Sequence, residues 1–109
     1  MNEEQQRKIN ETLTQVRISN RSGSHIGCIR LNVSAGIDHN REIIRRCYEY
    51  LTLGIPFMTE AIFLNGSRCD ILLPITNEII EISHSESEKR FKVKQYKYPE
   101  IFTIRQVRV

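Results

Sequence analysis

Three carboxylates, Glu60, Asp70 and Glu81, stand in three consecutive apolar runs in the second half of this 109-residue chain. Side chains of an extended chain alternate between faces. On that period Glu60 shares a face with Met58, Ile62 and Leu64, Asp70 with Arg68 and Leu72, and Glu81 with Ile79 and Ser83. A carboxylate buried without a partner is costly, so such groups are paired, protonated or bound to a metal. Strands pairing in register would bring the three acids to one patch. Their repulsion is most simply relieved by a divalent cation, and an oxygen-rich set suits magnesium or manganese. The plain alternative pairs Arg68 with one acid and leaves the others in water at strand ends.

The elements that must position these acids follow from pattern and punctuation. Residues 2–15 read as a short helix or a frayed arm, with Ile9, Leu13 and Val16 at roughly helical spacing. Asn20 to Ser24 has turn composition, and His25 to Val33 alternates like a strand. The clearest helix runs from about Asn40 to Leu53, capped by Asp38 or Asn40. Its apolar stripe is Ile43, Ile44, Cys47, Tyr48 and Leu51, and Gly54 and Pro56 stop it. Phe57 to Leu64 reads as a strand closed by the hairpin signal Asn65-Gly66. Arg68 to Leu73 and Glu78 to Ser83 are the next two strands. Ser85 and Glu88 form a capping box for a helix over about 86–98, and Ile101 to Val109 is a last strand.

Composition bounds the class. With 39% hydrophobic and 27% charged residues, the chain reads as one ordinary globular domain. Its longest uncharged apolar run, Ile71 to Ile75, falls far short of the ~20 residues that span a bilayer. The polar N-terminal stretch has no apolar signal core, so a cytoplasmic location without membrane attachment is expected. Cys28, Cys47 and Cys69 make no CxxC pair and read as small core residues. The net charge of +3 is uneven: residues 1–15 balance to −1 and residues 16–83 to zero. Residues 84–109 hold Lys89, Arg90, Lys92, Lys94, Lys97, Arg105 and Arg108 against three acids, a balance of +4. A basic terminal quarter on a neutral body suits a polyanion, although a solvated face would look the same.

Arg68-Cys69-Asp70-Ile71-Leu72 and Ile80-Glu81-Ile82-Ser83, with ten residues between Asp70 and Glu81, resemble the core of the PD-(D/E)XK nuclease superfamily. The resemblance spans about residues 39–109. It implies a restriction-endonuclease-like α/β fold: a mixed central sheet flanked by helices, in the order helix, three strands, helix, strand. It also implies metal-dependent hydrolysis of DNA phosphodiester bonds. Asp70, Glu81 and the Ile82 carbonyl would hold Mg2+ or Mn2+, and Glu42 on the first helix or Glu60 would add a further acid. The context Glu81-Ile-Ser-His-Ser85 is similar to the competence-type members.

One departure bears on activity. Where the pattern has ExK, this chain has Glu81-Ile82-Ser83. Lys92 or Lys94, reaching back from the following helix, is expected to stand in, ahead of His84, which strand alternation aims away from Glu81. The recombination-type arrangement of glutamine and tyrosine four apart is not met, because Pro99 follows Gln95 at that spacing. Lys89, Arg90, Lys92, Lys94 and Lys97 would contact backbone phosphate, which favours salt-sensitive binding with little sequence reading. Tyr96 and Tyr98 read as core-edge packing rather than base stacking, and Arg105 and Arg108 as edge-strand charges or phosphate contacts. His25 and His39 read as surface or capping residues. So small a domain is expected to act as a homodimer or within a larger complex. The alternative is a nuclease-fold module that has lost its chemistry and binds nucleic acid or a protein, and a purely structural domain is a third reading.

Overall fold

The computed structural model describes residues 2–17, 25–83 and 97–109. Among them two helices and a four-stranded mixed sheet form an α/β domain. Helix α1 (Glu3–Leu13) begins with a capping box between Asn2 and Gln5, which satisfies two amides at its start. A short 3-10 turn (Val33–Ala35) leads into α2 (Ile37–Leu53). Strands β1 (Met58–Thr59), β2 (Ile71–Leu73), β3 (Glu78–Ser83) and β4 (Thr103–Arg108) lie side by side in chain order. The first three are antiparallel neighbours and β4 runs parallel to β3. None of the described helices is long and apolar enough to cross a membrane.

The sheet has an apolar set on each face. Ile71, Leu73, Ile80 and Ile82 pack with Ile43 and Cys47 of α2 and with Phe57. Met58, Leu72 and Ile79 pack on the other side with Val16, Phe63, Tyr98 and Phe102. Burial on both faces explains why the strands read as near-continuous apolar runs rather than strict alternations. Hydrogen bonds join the segment after α1 to the hairpin: Leu64 donates to the Gln15 carbonyl at 3.0 Å and Arg17 to that of Ile62 at 2.7 Å. At the hairpin tip Gly66 has φ +91°, a conformation that needs glycine.

Several expected elements differ. The segment 25–33 is not a strand: residues 25–27 form a bend and turn, 28–32 carry no regular structure, and Val33 already belongs to the 3-10 turn. One backbone bond, Gly27 to the Phe57 carbonyl, and the Thr59 side chain hold it beside β1. Helix α2 starts three residues earlier than expected, after Gly36, and neither Asp38 nor Asn40 caps it. Asn40 instead clamps the backbone of Asn32, donating to its carbonyl and accepting its N–H. The strand expected over 57–64 narrows to Met58–Thr59, because Glu60 adopts a left-handed conformation with φ +53°. The helix expected over 86–98 lies outside the described residues except for Lys97 and Tyr98, which sit in a turn and a bend.

Ile80 is fully enclosed between β2 and α2, whereas Ile44 lies on the exposed face of α2. Ile80→Ala should therefore cost about 2–5 kcal/mol in urea unfolding. Ile44→Ala should change stability by less than about 0.5 kcal/mol.

Candidate metal centre

The strand register places Glu60 opposite Asp70, with Glu60 donating its N–H to the Asp70 carbonyl at 3.0 Å. One strand further on, the pairing of Ile71 with Ile80 sets Asp70 beside Glu81. The three acids thus occupy one row, just after β1, just before β2 and within β3, but their side chains part company. Glu60 and Asp70 meet a third residue, His39, and one ligand atom from each lies within 4.8 Å of the other two. Glu81 turns elsewhere: its buried carboxylate accepts a hydrogen bond from the Tyr98 hydroxyl, which also contacts the Arg68 carbonyl at 3.1 Å. The left-handed backbone at Glu60 removes that residue from strand alternation.

His39 comes from the first turn of α2. Its Nδ1 lies 3.2 Å from the Ile82 carbonyl, and the Ile82 N–H donates to Asp70 Oδ2 at 2.7 Å. A carbonyl only accepts, so Nδ1 carries a hydrogen and Nε2 is the nitrogen that faces the acids. Nε2 is 3.5 Å from Asp70 Oδ1, within ion-pairing range, yet it is buried and makes no hydrogen bond among the described residues. Asp70 thus extends the β2–β3 ladder with its side chain, using one oxygen and leaving the other toward His39.

Burial pushes the Glu60 carboxyl above its usual value, and the Asp70 charge adds to the rise, against Arg68, His39 and Arg30. Arg68 Nε stands 3.8 Å from Glu60 Oε2, on a half-exposed side chain. It is the pairing that the plain alternative anticipated for one acid. Glu60 and Arg68 open onto a cleft of about 330 Å³, lined also by Arg30, Leu31, Asn32 and Val33. Thr59 fixes this wall: its hydroxyl accepts the Arg30 N–H and donates to the Cys28 carbonyl, both at 2.7 Å.

The other candidates lie elsewhere. Glu42 sits one turn beyond His39, where its carboxylate accepts from Arg46 at 2.8 Å and from Arg45, which hold its carboxyl below the usual range. It does not join the cluster. Lys97 is exposed, with its carbonyl accepting from Asn65 and Ser67. Lys89, Arg90, Lys92, Lys94 and His84 lie outside the described residues. Ser83, at the lysine position, accepts from Gln106 of β4 at 3.0 Å.

His39 is the residue that the sequence reading placed wrongly, as a surface or capping group. It is 7% exposed and belongs to the buried stripe His39, Asn40, Ile43, Cys47. The helical spacing 39, 43, 47 carried that signal, but a helix begun at Asn40 left His39 outside it. The chain matches no family model, no curated protein and no solved structure.

Two expectations follow from these charges. Glu60→Gln removes a buried negative charge beside Asp70, so in chelator at neutral pH it should raise stability by about 0.5–2 kcal/mol, read as a higher Tm. The Arg45–Glu42–Arg46 cluster acts with the opposite sign. Its contribution is complete above the ordinary carboxylate pKa and fades as pH falls through the lowered Glu42 value. Glu42→Gln should cost about 0.5 kcal/mol near neutrality and nothing in acid, compared by thermal unfolding at both pH values.

Proposed function

We propose that this protein is a divalent-metal-dependent nuclease that hydrolyses phosphodiester bonds, with DNA as the expected substrate. The observation that carries the reading is the His39–Glu60–Asp70 cluster, whose Glu60 also lines a cleft with Arg30 and Arg68. Acids that bind a cation and guanidinium groups that match phosphate oxygens are the two parts phosphoryl chemistry needs.

A bound dication would lower the pKa of a coordinated water and neutralise charge developing on the phosphate. The protein's own contribution is placement. Asp70 is fixed by the Ile82 N–H, and His39 by the Ile82 carbonyl, so both ligands are set before substrate arrives. Arg30 and Arg68 line the cleft in which a phosphate would contact the ion. The restriction-endonuclease-like topology belongs to this proposal, supported by the order helix, three-stranded meander and parallel fourth strand.

A second reading is favoured by Ser83. Its hydroxyl is engaged by Gln106 at the position where the nuclease pattern has a lysine. That arrangement suits a module that keeps the fold and binds nucleic acid or a protein without cutting.

Incubation with supercoiled plasmid and branched DNA in Mg2+ or Mn2+ separates the two. The nuclease reading expects nicking that chelator abolishes and that Asp70→Ala reduces by about 100-fold or more. Salt-sensitive DNA binding with no cleavage in either metal, unchanged by Asp70→Ala, would establish the binding module instead.

A further inference from the structure

The metal-dependent reading leaves the ion open, and the atoms around the cluster narrow it. We infer that His39 Nε2, Glu60 and Asp70 Oδ1 form a mixed nitrogen–oxygen centre that selects a first-row transition dication over magnesium. This inference deepens the proposed function and rests on it for the role of the ion.

The histidine's buried nitrogen points to a bound ion. Nε2 is shielded from solvent and lacks a hydrogen-bond partner among the described residues, while facing two carboxylates. A buried polar atom left without a partner costs free energy, and such atoms concentrate where a ligand completes them. The tautomer points the same way. With Nδ1–H directed at the Ile82 carbonyl, the neutral ring presents the Nε2 lone pair toward Asp70 and Glu60. A lone pair and two carboxylates converging within 4.8 Å is an arrangement that a cation completes. Metal-bound histidines characteristically donate their other ring N–H to a backbone carbonyl or a carboxylate, as His39 does here.

The donor set also selects the ion. Magnesium favours an all-oxygen octahedron, keeps several of its waters and is held by one or two carboxylates. An imidazole nitrogen adds little to its affinity, whereas it adds substantially to that of cobalt, nickel or zinc, with manganese weakest among the transition dications. His39 is thus the selecting ligand, and Glu60 and Asp70 supply the charge. The Ile82 carbonyl, already engaged by His39, acts on the ring rather than on the ion.

The competing occupant of Nε2 is a proton, which would make the cluster an internal ion pair with no metal. Calorimetric titration of untagged, chelator-stripped full-length protein with CoCl2, ZnCl2, MnCl2 and MgCl2 distinguishes the two. The centre requires one ion per chain and an affinity order of zinc or cobalt above manganese above magnesium, with cobalt at least about tenfold tighter than magnesium. His39→Ala should weaken cobalt binding by about 10-fold or more while moving magnesium far less. Loss of the exposed His25, as His25→Ala, should leave both unchanged. Circular dichroism of His39→Ala checks that the variant is folded. Should it fail to fold, Glu60→Gln with the cobalt ligand-field spectrum replaces it, and the expected result is a weakened, altered spectrum.

Magnesium binding as tightly as cobalt, or no ion binding at all, would overturn the centre. Cobalt binding lost in His39→Ala but accompanied by no cleavage would keep the centre and remove the nuclease reading. Magnesium-dependent cleavage indifferent to His39→Ala would do the reverse.

Discussion

Asp70, Ile82 and His39 close a circuit on which the site and the third strand both depend. The Asp70 carboxylate takes the Ile82 N–H, the Ile82 carbonyl takes the His39 Nδ1–H, and His39 Nε2 returns to the other oxygen of Asp70. Two contacts are hydrogen bonds and the third is a 3.5 Å approach. The circuit joins the first turn of α2 to β3 and to the residue before β2. Moving any one of these elements would displace the Asp70 carboxylate and the His39 ring together. A site built this way is rigid because its supports are backbone groups of the core sheet.

The arrangement costs stability. Glu60 is buried beside a second carboxylate and adopts a left-handed backbone that a side chain disfavours. The apolar packing on both faces of the sheet, with Ile71, Ile80, Leu72 and Ile79 all buried, offsets such a burden. Local strain and like-charge proximity concentrated at one place in an otherwise well-packed domain support the proposed metal centre. Glu81 shows the contrast. It is equally buried, but it accepts a hydrogen bond from Tyr98 among the aromatic residues of the opposite face.

Much of the architecture was legible in the chain. The helix ending at Gly54, the Asn65-Gly66 turn and the strand Glu78–Ser83 were set by local punctuation, and the structure has all three. The row of acids was legible from period two, and the register does align them. Their final directions were not. Alternation presumes extended backbone at every position, and the φ of Glu60 violates it. The strand expected over 25–33 failed because alternation reports side-chain patterning and not backbone pairing: a turn at 26–27 and the 3-10 turn from Val33 interrupt it. At the edge of β1 this segment is held by the Thr59 side chain instead of a ladder. His39 escaped because three residues of helix start decided whether it belonged to the buried stripe.

The central claim is the position of the ion relative to the three acids. The most direct measurement is anomalous diffraction from crystals of the protein grown with manganese or cobalt. The account predicts one strong peak bounded by His39 Nε2, Glu60 and Asp70 Oδ1, with the Ile82 carbonyl still bonded to the ring. A peak held instead by Asp70, Glu81 and the Ile82 carbonyl, with His39 turned away, would contradict it.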